Sequence, residues 1–216
     1  MTNILIDELP YSVEVCGQLI PINTDYRTGI LFEQLMVDAS MTDEQKLVEI
    51  MLLYFGEGIM DLVTSCGADA VGAAINAVRW FYSCGRETEP VKDTGEGDSD
   101  GKEEGSGTDP PFSYEYDAGY IYAAFIEAYH IDLTEKRLHW WQFRALFLAL
   151  PDTTQFQKIV GYRVMKIPAK LPKDQKQFYQ KMKRLYKIPE PPDRVQLEKD
   201  LEAILERGGD ISQFIK

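Results

Sequence analysis

The side chains that could take part in acid–base catalysis are few and scattered along the sequence. The two histidines, His130 and His139, lie near no serine or cysteine in a nucleophile motif and near no acidic partner at a recognised spacing. A general base needs such a partner within hydrogen-bond reach. His130 also falls at a predicted helix end, where a cation suits the helix dipole. We therefore interpret both histidines as structural and expect no catalytic residue.

The candidates for a metal or cofactor site also lack the required spacing. Five acids in one region do not have the spacing of a calcium loop, so we interpret them as a solvated helix face: Asp43, Glu44, Glu49, Glu57 and Asp61. The glycines between 95 and 107 lack the strand and the Gly-Lys-Ser/Thr of a phosphate loop. Cys16, Cys66 and Cys84 are odd in number and form no CxxC pair, as in a cytosolic chain with reduced thiols. The sequence predicts no metal, no cofactor and no enzyme.

A strongly acidic stretch divides the sequence. Residues 87–109 hold nine acids and two lysines, a net charge of −7, with Val91 as the one aliphatic residue. Such a segment cannot bury enough apolar surface to offset roughly 1–2 kcal/mol per residue of backbone ordering. We predict an N-terminal hairpin plus helical module over 1–86, a disordered acidic Gly-rich linker over 87–111, and a C-terminal helical module over 112–216. Each module is expected to fold as its own unit, and the sequence leaves open whether the two touch.

The predicted fold is mainly α-helical with a short N-terminal β-hairpin. Residues 12–15 alternate in period two, Cys16-Gly17 makes a turn, and 18–22 returns. Helices are predicted from their capping residues and apolar periodicity after Thr24 or Asp25, after a capping box formed by Thr42 and Gln45, and over 59–64, 69–82, 114–129, 135–150, 155–165, 173–186 and 194–207.

The apolar periodicity also assigns an inward face to each helix. The residues expected to point inward include, in the first helix, Ile30, Leu31, Leu35 and Met36, and in the helix over 114–129, Tyr122, Phe125, Ile126 and Tyr129. The helix over 135–150 is expected to bury Leu138, Trp141, Ala145 and Leu148.

The densest aromatic cluster suggests a protein-contact surface. Trp140 and Trp141 are about 100° apart on a helix, so both cannot point to one core centre. Trp140 aligns with Arg144 and Phe147, and aromatic residues and arginine carry much of the binding energy at interfaces. Candidate contact residues are therefore Trp140, Phe143, Arg144 and Phe147, although a core role for the whole cluster is the favoured interpretation.

Charge suggests the kind of partner. The chain carries a net charge of −12, which argues against wholesale nucleic-acid binding, yet residues 158–188 hold ten bases and one acid, a net charge of +9. Aromatic residues interleave with these bases, so nucleic-acid binding through 158–188 is an alternative to a solvated face or an acidic protein partner. No long apolar run is present, so neither a secretory signal nor a membrane span is expected.

Several blocks of the sequence resemble a known family. They are Tyr116-Asp117, Tyr120-Ile121-Tyr122-Ala123-Ala124-Phe125, Ile131-Asp132-Leu133, Leu138-His139-Trp140-Trp141 and Ile159-Val160-Gly161-Tyr162-Arg163, with Thr24-Asp25-Tyr26-Arg27 near the N-terminus. In these blocks the chain resembles the small tail-morphogenesis proteins of long-tailed phages and prophages of Gram-positive bacteria, which are encoded between the tail-tube and tape-measure genes. The likeness covers most of residues 1–170 and leaves the role of the C-terminal helix open.

The resemblance implies a place in tail assembly. By gene position the family is similar to tail-assembly chaperones, which coat the tape-measure protein, help tail-tube subunits to polymerise around it, and are absent from the finished virion. It implies no catalytic residues, a location in the host cytoplasm, and the tape-measure protein as partner, with tail-tube protein and self-association as further contacts. A structural virion component, such as a tail-completion or connector protein, is the alternative.

Overall fold

The computed structural model describes residues 3–86, 110–168 and 170–189, and in them it shows two strands and eight helices. The elements are β1 (Ser12–Val15), β2 (Gln18–Pro21), α1 (Tyr26–Val37), α2 (Asp43–Phe55), α3 (Ile59–Cys66), α4 (Ala68–Tyr82), α5 (Ala118–Tyr129), α6 (Trp140–Leu148), α7 (Gln155–Val164) and α8 (Lys173–Leu185). The mainly helical fold with an N-terminal hairpin is confirmed. The linker predicted over 87–111 lies outside the described residues except for its last two prolines, and the helix predicted over 194–207 lies outside them altogether.

The hairpin follows from a two-residue turn. β1 and β2 pair antiparallel, with Ser12 opposite Pro21 and Val15 opposite Gln18. Cys16 and Gly17 both have positive φ, 52° and 75°, as a primed turn requires to match the twist of its strands. Val13 and Val15 point to the same side and are buried, and β1 packs against α4.

Local capping sets the starts of α1, α2 and α7. Asp25 accepts a hydrogen bond from the backbone of Arg27, and Thr42 and Gln45 form the predicted capping box. Thr154 caps α7 in the same way. The predicted inward face of α1 is wrong in part, because Leu31 and Met36 are exposed while its first turn is buried against α6.

The helix predicted over 135–150 begins later, at Trp140. Asp132 explains the delay, because its carboxylate accepts hydrogen bonds from the backbone and the hydroxyl of Thr134 and holds a turn there. His139 then caps α6, with its Nδ1 accepting from the backbone N–H of Trp141 and Gln142 completing a capping box. The chain therefore forms a turn at 132–136 and becomes helical only from Trp140 onward.

The segments before and after the acidic stretch share one core. Residues 24–26 and 138–140 run antiparallel, with the N–H of Tyr26 donating to the carbonyl of Leu138 at 3.0 Å and the N–H of Trp140 donating to that of Thr24 at 2.7 Å. The Tyr26 hydroxyl donates to the carbonyl of Leu133 at 2.7 Å. The structure thus joins the two segments through one core.

Candidate functional site

The predicted contact residues on α6 lie in this shared core. Trp140, Phe143 and Phe147 are only 1%, 0% and 6% exposed, and their rings stack on one another with centroids 5.9 and 5.8 Å apart. The opposite side of α6, with Ala145 and Leu148, is exposed. The expected burial of Ala145 and Leu148 is therefore wrong, and the contact surface expected from the aromatic residues is not exposed.

Both indoles are buried because each finds a partner at the end of α4. Nε1 of Trp140 donates to the carbonyl of Tyr82 at 2.9 Å, and Nε1 of Trp141 donates to that of Phe81 at 2.7 Å. A buried tryptophan normally requires such an acceptor. Two side chains about 100° apart on one helix can thus both be buried, because the N-terminal segment covers both directions.

Arg144, the fourth predicted contact residue, joins α6 to α4 and is partly buried. Its Nη1 donates to the carbonyl of Tyr82 at 3.1 Å, and its guanidinium lies over the rings of Tyr82 and Trp140, 5.2 and 5.9 Å from their centroids. The Tyr82 hydroxyl donates to Glu33 on α1. Burial, followed by the nearby Glu33 carboxylate, raises the pKa of Tyr82, so its hydroxyl stays protonated. This cluster is suited to holding three helices together.

The two histidines occupy structural positions. Nδ1 of His139 accepts from the backbone of Trp141 at 3.1 Å, so Nε2 carries the proton and donates to the carbonyl of Pro10 at 3.0 Å. Burial lowers the pKa of His139, which favours this neutral form. His130 ends α5 in the left-handed conformation with φ of 53° and is exposed.

Within the described part of the chain, no three His, Cys, Asp or Glu side chains gather where they could hold a metal ion. Cys16, Cys66 and Cys84 are free thiols. In the same residues, every helix is too short or too polar to cross a membrane.

Asp117 and Arg163 form a buried ion pair between α5 and α7. Two parallel hydrogen bonds of 2.6 and 2.8 Å join the carboxylate to the guanidinium. Nε of Arg163 donates to the carbonyl of Tyr186 at 2.6 Å, and Nη1 donates also to that of Pro111 at 3.2 Å. One guanidinium thus fixes the chain after the acidic stretch, the start of α5 and the end of α8.

The exposed side of α5 is unusually apolar. We call it the outer face of α5, and it consists of Gly119, Tyr122, Ala123 and Ile126, with Tyr120 at its edge. Tyr120, Tyr122 and Ile126 are 37–39% exposed, and Glu127 is the single charged residue of this helix. A helix that is apolar all round is normally covered on every side. The sequence placed Tyr122 and Ile126 inward, which is wrong, because Ile121, Ala124 and Phe125 take that place.

A row of aromatic rings runs from α5 to α8. Tyr120 contacts Tyr186 edge-on at 6.4 Å, and Tyr186 stacks on Tyr162 at 6.1 Å. Tyr162 also contacts the rings of Phe178 and Tyr179 at 6.3 and 6.5 Å. Since α8 buries no residue, this end of the surface is both aromatic and basic.

The sequence could have revealed the outer face of α5 through one signal. Residues 118–129 contain a single charge, so no polar stripe is available to face water. Periodicity alone could not choose which apolar side is buried. Arg163 was likewise missed as the partner of Asp117, because 46 residues separate them and no local pattern couples them.

Comparison with known proteins identifies the family of the chain. Residues 5–188 match the family model described as Bacteriophage Gp15 protein, which is most of the chain and includes both segments of the shared core. No curated protein and no solved structure matches the chain. The expected phage origin is thereby confirmed at the level of the family, and the chain belongs to the bacteriophage Gp15 protein family.

Proposed function

We propose that this protein is a non-enzymatic phage tail assembly factor that acts as a chaperone for the tape-measure protein. The outer face of α5 would hold helical segments of that client, and Trp140, Phe143 and Phe147 would act indirectly by supporting α5 from the core. The protein would work in the cytoplasm of the bacterial host and be absent from the finished particle. A transient contact with tail-tube protein fits the same role.

The single observation that carries this proposal is the outer face of α5. An amphipathic helix docks by laying its apolar face into an apolar surface, with anchors at helical spacing. Gly119 and Ala123 are exposed between larger side chains, and helices approach more closely where side chains are small. Tyr122 and Ile126 offer the exposed apolar area beside them. Such a surface suits a long helical client better than a small molecule.

The surroundings of the polar groups support a binding role over catalysis. His139 caps a helix and bonds to Pro10, Arg163 pairs with Asp117, and Tyr82 donates to Glu33. Each of these groups uses its hydrogen-bonding capacity to join elements of the fold. A catalytic residue would need free geometry toward a substrate.

The experiment is co-expression with the tape-measure protein encoded in the same phage genome. The chain should co-purify with this client and raise its soluble fraction. Ala123→Arg should abolish both effects, because it places a long charged side chain in the centre of the outer face of α5. Ala145→Arg is the matched control, since it makes the same change at an exposed position of α6 and should bind as the unchanged chain does.

Failure of the unchanged chain to co-purify with the client or to keep it soluble would end the proposal. Equal loss in the two variants would also count against it, because the effect would then not depend on the outer face of α5. Circular dichroism of both variants establishes that each is folded.

Two other classes of function can each be distinguished from a chaperone by a separate measurement. Mass spectrometry of purified particles would find a structural tail component and would not find an assembly chaperone. Nucleic-acid binding is favoured by one observation, the aromatic and basic surface of α8. A gel shift that weakens steeply with salt would support it, and no shift at low salt would exclude it.

A further inference from the structure

The apolar stripe of α8 is uncovered in the described part of the chain. Phe178, Met182 and Leu185 follow one another at i, i+4 and i+7 and so share one side of the helix. Phe178 is 48% exposed, Leu185 is 63% exposed and Met182 is half-buried, and the ring of Phe178 contacts those of Tyr162 and Tyr179. An amphipathic helix gains most of its stability by burying such a stripe, so α8 needs a cover.

The described chain ends beside this stripe. Tyr186 is fixed by Arg163 and Tyr162, and Ile188 is buried, so the chain leaves the core at the C-terminal end of α8. Residues 190–216 follow, 27 in all. In this segment Glu190 is followed by Pro191 and Pro192, and Asp193 is a helix-capping residue before the helix predicted over 194–207.

The spacing of the C-terminal segment matches that of α8. Leu197, Leu201 and Ile204 repeat the i, i+4, i+7 pattern of Phe178, Met182 and Leu185. If the chain reverses at Pro191, Leu197 lies six residues after the turn and Leu185 six before it. Ile204 lies thirteen after the turn and Phe178 thirteen before it. Two antiparallel helices joined by a short loop would therefore bring the two stripes together in register.

Charge points to the same pairing. Residues 173–185 hold five bases and one acid, a net charge of +4, and residues 193–206 hold five acids and two bases, a net charge of −3. Lys181 and Asp200 lie ten before and nine after the reversal point, close enough in register to face each other. Complementary charges beside an apolar seam select the partner and its orientation.

We propose that residues 193–207 pack as an antiparallel helix on Phe178, Met182 and Leu185 of α8. The acidic C-terminal helix then covers the basic, aromatic surface and prevents it from attracting nucleic acid or a second copy of the chain. The inference uses a different surface from the outer face of α5 and does not depend on the proposed function. It gives the C-terminal segment a partner within its own chain.

Photo-crosslinking in the full chain tests this pairing without any client. Benzoylphenylalanine in place of Phe178 is a small change of shape, and on illumination it should crosslink within the monomer to a peptide from residues 197–207. The yield should not depend on protein concentration. The same amino acid in place of Leu31 on α1, which is 50% exposed, is the matched control and should give no crosslink to residues 190–216.

Substitutions in the C-terminal segment test the register. Leu201→Asp should reduce the crosslink by about tenfold or more, since each 1.4 kcal/mol changes an equilibrium tenfold. Val195→Asp places the same charge off the stripe and should leave the yield nearly unchanged. A crosslink that joins two chains, the absence of any crosslink to residues 197–207, or equal effects of both substitutions would each overturn the proposal.

Discussion

Asp117 and Arg163 face each other with their planes joined by two hydrogen bonds, and both side chains are almost fully buried. A buried ion pair contributes little net stability compared with apolar residues of the same shape, but loss of one partner leaves the other charge without compensation. Asp117 and Arg163 also come from two separate blocks of the family resemblance. The stability of the part of the chain that follows the acidic stretch is therefore sensitive to the loss of either residue.

Asp117→Asn should lower the free energy of unfolding by about 3–5 kcal/mol, because the guanidinium of Arg163 stays buried without its counter-charge. Asp25→Asn is the matched control. Asp25 pairs with Arg27 at 3.4 Å near the surface, and asparagine caps a helix as well as aspartate does, so this loss should stay below about 1 kcal/mol. Urea unfolding measures the stability of both variants. Similar losses of stability in the two would contradict the importance of burial for the ion pair.

Tyr54→Phe should leave the protein as stable or make it more stable by up to about 1 kcal/mol. Within the described residues the Tyr54 hydroxyl is buried and makes no hydrogen bond, which is a cost that phenylalanine removes. Tyr26→Phe makes the same change where the hydroxyl donates to the carbonyl of Leu133, so it should cost about 1 kcal/mol. Thermal unfolding should show opposite shifts, and a marked loss with Tyr54→Phe would show that its hydroxyl has a partner.

Gly29→Ala should destabilise the protein although alanine favours helices. A Cβ at position 29 would lie 2.6 Å from Cδ2 of Trp140, a distance that forces α1 and α6 apart. Overpacking of this kind typically costs about 1–3 kcal/mol. Gly72→Ala in α4 meets no atom within 4 Å and should gain about 0.5–1 kcal/mol from helix propensity alone. Equal effects in the two variants would mean that α1 does not press against Trp140.

Stability should fall as the pH drops from neutral through the titration of His139. Burial lowers the pKa of His139 in the folded chain below its unfolded value of about 6.5, so the unfolded state binds the extra proton first. The stability that neutral His139 contributes is fully present above pH 6.5. It decreases as the pH falls from there toward the lower pKa of the folded state. Protonated Nδ1 could no longer accept from Trp141.

His139→Asn tests this pH dependence, since asparagine can cap α6 without titrating. Urea unfolding between pH 7.5 and 5 should show a smaller loss of stability in this variant than in the unchanged chain. An identical slope in the two chains would mean that His139 does not titrate with folding.

Cleavage of the acidic stretch should leave the two halves bound to each other. A specific protease site placed within residues 95–107 would yield two fragments that elute together in size-exclusion chromatography, because they share one core. Each fragment produced alone should be largely unfolded, and mixing should restore near-ultraviolet circular dichroism. Two separately folded fragments would instead support the independent modules expected from the sequence.

Sequence patterns predicted the features that neighbouring residues determine. The Cys16-Gly17 turn, the caps at Asp25 and Thr154, and the capping box formed by Thr42 and Gln45 lie where expected, because each depends on groups within a few residues. These elements would form in nearly any tertiary context.

The features that depend on distant residues could not be predicted. Burial of Trp140 depends on the absent side chain of Gly29 and on the carbonyl of Tyr82, and both are remote in sequence. For this reason Trp140, Phe143 and Phe147 lie in the core and not on the surface. Local periodicity describes one helix, whereas the packing partner decides which of its apolar sides is buried.

The pairing of residues 24–26 with 138–140 can form only after the ribosome has synthesised both segments. The last turn of α4 is synthesised about 66 residues before the end of α6, which at roughly 5–20 residues per second is a delay of about 3–13 s. During that interval the carbonyls of Phe81 and Tyr82 lack the indole N–H groups of α6 that bond to them in the folded chain. The net negative charge of the nascent N-terminal part reduces its association with neighbouring chains. The order of synthesis thus makes α6 the element that first covers the end of α4.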